Sequence, residues 1–335
     1  MAGPLTDDQG RPKEQLREVR AFTDILERTD FPRLSRPDTD ITLIVASYLE
    51  KQYPFTQRED AADVLTATRQ AYVAAREADL PVGVSREADG LPADSALYLL
   101  PSAKQLTAPT WRALREHAER GATVYASYYA GSHLTQRGSW WPKLDETFGV
   151  TKQLRYGLVE SIEDDELRMV FQRDFGTIDA GTELVFAVAG NEHARSYLPV
   201  VPDDAEVVAT DGRGRPALAR RRTGSGQLVL SAYPLEQMAA RAPAVNPEPT
   251  WRLYAALAAE AGATPPVTVD DGRVVVDEMA HEDGRRFVWF ISEHPEPLSV
   301  APRVRKGALV GLDDGEPLTE IALGAYGVVV ARRES

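Results

Sequence analysis

Apolar residues along this chain recur at two spacings, and the changes of spacing mark its parts. Leu16, Val19, Phe22, Ile25 and Leu26 fall every three or four residues, which predicts one apolar face of a helix about three turns long. The stretch before them, DDQGRPK, gathers Asp7, Asp8, Gly10 and Pro12, residues that set turns. The stretch after them, DFPRLSRPDTD, is proline-rich and reads as a link. A helix so close to Met1 with an unmatched apolar face reads as the last helix of a preceding domain.

Beyond the link the pattern alternates. Ile41 to Ser47 is almost continuously apolar, as a strand buried on both faces must be. Glu59 to Ala78 is helical in composition and spacing, and LPVGVS and SALYLLPS read as strands. TAPTWRALREHAERG predicts a second helix, with Thr107 as N-cap, Pro109 in its first turn and Gly121 just past its end. ATVYASYYAG is a further strand. Strand and helix alternating at this spacing predict an α/β fold, a mostly parallel sheet with helices on both faces.

The middle of the chain is less regular. YGLVESI, LRMVFQRDF, TELVFAVA, AEVVATD, PALARRR and GQLVLSAYPLE read as strands, several of them antiparallel, and PTWRLYAALAAEAG closes the region as a helix. From Pro265 the spacing shortens to strands split by turns such as HEDG and LDDG, which predicts a small all-β sandwich. The expected division is a turn, helix and linker over 1–36, an α/β domain over 37–264 and a β-sandwich over 265–335.

Composition narrows the function classes. The 335 residues carry a net charge of −13. An acidic surface repels phosphate backbones and anionic lipid, so neither nucleic acid nor a membrane surface is an expected partner. No apolar run reaches the length of a membrane span. No signal-peptide pattern opens the chain, so a cytoplasmic location is the expectation. The chain contains no cysteine, which excludes disulfides, thiolate metal sites and cysteine nucleophiles.

Candidate chemistry is sparse. The Gly-Ser-Gly of RRTGSGQLVL lies between two strands, whereas a phosphate loop runs from a strand into a helix, so it reads as a hairpin turn. DEMAHEDG clusters Asp277, Glu278, His281, Glu282 and Asp283, but lacks the spacing that sets two imidazoles on one helical face, and Asp283-Gly284 favours a solvated turn. No metal or cofactor is therefore expected. His117 sits among Arg115, Glu116 and Glu119, which suggests a surface position, and His193 and His294 fall in polar loop sequence. The densest aromatic stretch is YYAGSHLTQRGSWW. It carries Tyr128, Tyr129, His133, Arg137, Trp140 and Trp141 directly after a predicted parallel strand, the edge where open α/β sheets bind ligands. Three readings stay open for these six residues: a subunit interface, a carbohydrate platform, or ordinary core.

The order of motifs resembles the family 42 β-galactosidases. ALYLLPSAKQLTAPTWRALREHAERGATVYASYYAG is similar to their strand ending in Leu-Pro, helix and Gly-Ala-Thr strand. WWPKLDETFGV resembles the short helix ending in Phe-Gly-Val that follows, and RPALARRRTGSGQLVLSAYPLE the strand pair ending in Tyr-Pro-Leu-Glu. GPLTDDQGRPKEQLREVRAF resembles the exit from a (β/α)₈ barrel, and GRRFVWFISEHPEPLSV the small terminal β-sandwich of these and of related family 5-like and mannosidase-like enzymes. The resemblance implies a glutamine-amidotransferase-like, flavodoxin-like domain that mediates trimerisation. It also implies a chain without the barrel whose strand ends carry the two catalytic carboxylates. The expectation is a non-catalytic association portion, or split subunit, of a glycoside hydrolase acting on β-galactosides or β-mannosides. Its partners would be further copies of itself, as a trimer by resemblance, or a separate barrel polypeptide. The alternative is a stand-alone carbohydrate-binding protein using the aromatic loop.

Overall fold

The computed structural model describes residues 7, 9–49, 58–103, 106–131, 143–153, 160–192, 194–241 and 249–334. Helix α1 (Glu14–Arg28) comes first. There follow β1 (Ile41–Val45), α2 (Arg58–Glu77), β2 (Val82–Arg86), β3 (Leu97–Leu100), α3 (Ala108–Glu119) and β4 (Thr123–Ser127). The middle supplies β5 (Glu166–Phe171), β6 (Glu183–Ala187), β7 (Glu206–Asp211), β8 (Pro216–Thr223), β9 (Gly226–Ser231), α4 (Leu235–Arg241) and α5 (Thr250–Glu260). The last strands include β10 (Val274–His281), β11 (Arg286–Ser292), β12 (Ala308–Gly311) and β13 (Val328–Glu334). Residues 39–273 form one compact unit, and residues 1–38 with 274–335 form another.

The larger unit is built on a nine-stranded sheet in the order β2-β1-β3-β4-β9-β8-β7-β5-β6. The first five strands are parallel and the rest antiparallel. The sheet is thus mixed, because the irregular middle of the chain adds its strands to the same sheet. The parallel ladders share a register: Thr123 pairs with both Leu97 and Gln227, so the carboxyl ends of β3, β4 and β9 line up on one edge. Strands β3 and β4 are buried at every position, as strands covered on both faces must be. β5 and β6 alternate buried with exposed residues and turn one face to water. Alanines 67, 71, 74 and 75 make up much of the buried face of α2, which lets that helix approach its neighbours closely. The Gly-Ser-Gly stretch forms the turn between β8 and β9, with Thr223 opposite Gly226. A Cβ at Gly226 would lie 2.2 Å from the Ala122 carbonyl oxygen, so only glycine fits this close backbone approach.

The smaller unit holds an antiparallel sheet in the order Leu34–Ser35, β10, β11, β13, β12. Leu34 and Ser35, within the predicted link, pair with His281 and Ala280. Phe287, Trp289 and Val330 form a buried cluster here, and Ile25 and Leu26 of α1 pack against it. Phe31 meets Trp289 edge to face at 6.1 Å. Val19 and Phe22 of the α1 apolar face are open, 58% and 51% exposed. No helix among the described residues is long and apolar enough to cross a membrane.

Candidate functional site

The carboxyl edge of the parallel strands collects the polar side chains that the fold places most deliberately. Glu87, just beyond β2, is 8% exposed. Its carboxylate accepts from Ser47 N at 2.8 Å, Ser47 Oγ at 2.6 Å, Thr107 N at 2.7 Å and Thr110 Oγ1 at 2.7 Å. Ser47 follows β1 and Thr107 is the N-cap of α3, so one carboxylate ties two loops to a helix start, where negative charge is favoured. Burial works against the charged form, yet the hydrogen bonds from Ser47, Thr107 and Thr110 outweigh it and hold this carboxyl below its ordinary range.

Glu236, in the first turn of α4, is fully enclosed. It accepts hydrogen bonds from Ser127 Oγ at 2.5 Å, Tyr125 Oη at 2.9 Å and Tyr254 Oη at 2.9 Å. Burial dominates here and pushes the Glu236 carboxyl up despite these donors. Ser127 Oγ also accepts from Ser102 N at 2.6 Å. Ser102 follows β3 with φ +45°, a left-handed conformation that a residue other than glycine seldom adopts.

A third group lies at Tyr129. Its hydroxyl donates to Asp63 Oδ2 at 2.9 Å and lies 3.3 Å from Asp60 Oδ1, while Arg241 pairs with Asp63. Asp60 and Asp63 are 0% and 4% exposed, so this carboxylate pair does not face solvent. Burial and the two carboxylates push the Tyr129 phenol well up.

Of the six predicted site residues, Tyr128 and Tyr129 are fully buried. Of the three readings left open, burial favours ordinary core for these two, since neither ring has a face to offer a sugar or a subunit. Among the described residues the Tyr128 hydroxyl has no hydrogen-bond partner. His133, Arg137, Trp140 and Trp141 lie outside the described residues.

Two sequence readings are corrected. His117 is 7% exposed rather than on the surface; its ring lies 4.9 Å from that of Tyr98, and Nδ1 is 2.8 Å from Arg120 Nη2. Burial and Arg120 push its pKa down. The DEMAHEDG cluster is not one solvated turn. Asp277 and Glu278 stand within β10 and pair with Arg36 and Arg333, and His281 is buried with Nδ1 2.8 Å from Asp283.

Glu87, Glu236, Asp60, Asp63 and Arg241 were not singled out in sequence. Glu236 alone carried a usable signal, since it follows a strand within the apolar run AYPLEQM. Chemically, these groups serve one another. The carboxylates of Glu87, Glu236, Asp60 and Asp63 are enclosed, and the bonds to Glu87 and Glu236 run between separate strands and helices.

No protein-family profile matches the chain, and no curated protein matches it. Solved structures do. A β-galactosidase from Bacillus circulans sp. alkalophilus superposes with a TM-score of 0.68 at 15% identity, over 99% of this chain and 47% of that one. A GH42 β-galactosidase from G. stearothermophilus superposes at 0.65 and 17% identity, over 99% of this chain and 46% of that one. α-L-Fucosidase isoenzyme 2 from Paenibacillus thiaminolyticus gives 0.62 at 10% identity, over 98% of this chain and 54% of that one. The chain therefore has the fold of part of these glycosidases and spans about half the length of each.

Proposed function

We propose that the chain is the non-catalytic C-terminal association portion, or split subunit, of a glycoside hydrolase acting on β-galactosides or β-mannosides. In this reading 1–36 is the exit from a catalytic barrel, 37–264 an association domain and 265–335 a β-sandwich. The observation that carries it is the match over 99% of this chain to under half of two β-galactosidases. The interior of the α/β unit supports it: the carboxylates Glu87, Glu236, Asp60 and Asp63 are all buried and hydrogen-bonded within the fold.

The parallel strands, numbered among themselves, follow the order 2-1-3-4-5. That is the doubly wound order of flavodoxin-like folds and supports the amidotransferase-like label. The open face of α1 at Val19 and Phe22 supports the barrel-exit reading, because an exposed apolar patch marks a contact surface. Association is tested by sedimentation velocity on the purified chain. A concentration-dependent oligomer, trimeric by the β-galactosidase resemblance, is the expected result. A strict monomer at all concentrations would remove the association role.

A further inference from the structure

We propose that the cleft between residues 162–168 and 211–215 binds a neutral saccharide. This site needs no catalytic barrel. Its volume is about 730 Å³, within the range of small-molecule sites. It opens beside the carboxyl end of β9, since Tyr233, two residues past that strand, lines it.

The floor is rigid. Asp211, 4% exposed, accepts from Arg213 N at 3.0 Å, Arg215 N at 2.7 Å, Arg215 Nε at 2.6 Å and Tyr233 Oη at 2.8 Å. Tyr233 stacks on Tyr197 with ring centroids 5.5 Å apart, and the Arg215 guanidinium lies 4.2 Å over the Tyr197 ring. A floor fixed in this way loses little freedom when a ligand arrives.

The walls set the ligand class. Arg213 pairs with Asp164 at 2.8 Å, and Arg168 with Glu166 at 2.8 Å and Glu183 at 2.9 Å. An anion would have to displace a carboxylate from its guanidinium. A hydroxyl needs no such exchange. It donates to a carboxylate oxygen, which has several lone-pair sites, and accepts from a guanidinium, which has five N–H groups. Neighbouring sugar hydroxyls can therefore span each guanidinium–carboxylate pair.

The test is calorimetry on the full chain with β-1,4-galactobiose and β-1,4-mannobiose, with galacturonate as the charged probe. One disaccharide should bind with a dissociation constant of roughly millimolar order. Arg213→Ala and Asp164→Ala should each weaken it about tenfold or more, without lowering the melting temperature, since both side chains are more than half exposed. The proposal is overturned if neither disaccharide binds saturably, if both variants bind as well as the parent, or if galacturonate binds more tightly than either sugar. Binding lost only in Trp140→Ala would assign the sugar to the 128–141 stretch and overturn it equally. None of these failures touches the association reading, which sedimentation decides.

Discussion

Ser127, the last residue of β4, donates a 2.5 Å hydrogen bond to the carboxylate of Glu236 in the first turn of α4. Tyr125, on the same strand, and Tyr254, on α5, donate to the same carboxylate. Glu236→Leu should therefore cost about 3 kcal/mol, because it strands three buried hydroxyl donors. Because burial raises the Glu236 pKa in the folded state, its protonated form is the one the fold favours. Its contribution is fully present below the ordinary carboxyl value of 4.5 and is lost as pH rises through the raised one. Urea denaturation across that window should show this slope in the parent and its absence in Glu236→Gln. An unchanged slope would contradict the assignment.

Glu87 has the opposite sign. Its folded pKa is lowered, so its stabilisation is present above 4.5 and is lost as pH falls through the lowered value. Glu87→Gln should cost about 1–3 kcal/mol at neutral pH and flatten the acid limb of the stability curve. Chemical denaturation between neutral and acid pH checks both, and a steeper acid limb in the variant would rule the account out.

The α1 face separates contact from core. Phe22→Ser and Val19→Ser should shift stability by less than about 0.5 kcal/mol, as exposed substitutions do, while reducing self-association or aggregation. Trp289→Ala, at the cluster that Ile25 and Leu26 pack against, should cost about 3–5 kcal/mol. A large fall in melting temperature for Phe22→Ser would place that side chain in the core instead.

Much of the fold was legible because burial leaves a local mark. ITLIV and LYLL are apolar throughout, and they form β1 and β3. What stayed hidden depends on contacts between distant residues. Nothing local says that β9 lies beside β4, about a hundred residues earlier, or that Leu34–Ser35 pairs with β10. His117 has charged neighbours in sequence, yet the helix turns its ring onto Tyr98. Glu87 and Asp63 look like any surface carboxylates until Ser47, Thr107 or Tyr129 comes within hydrogen-bond reach. For Tyr128 and Tyr129 the core, interface and sugar readings stayed open for the same reason, since an aromatic pair after a strand reads alike whether the chain turns outward or inward.

The central claim is that this chain assembles rather than catalyses. The most direct measurement is hydrolysis of nitrophenyl β-galactoside and nitrophenyl β-mannoside by the purified chain alone. The account predicts no turnover above the buffer blank. Turnover that follows the protein through purification, and disappears when one of its own carboxylates is replaced by the amide in a variant that still folds, would contradict it.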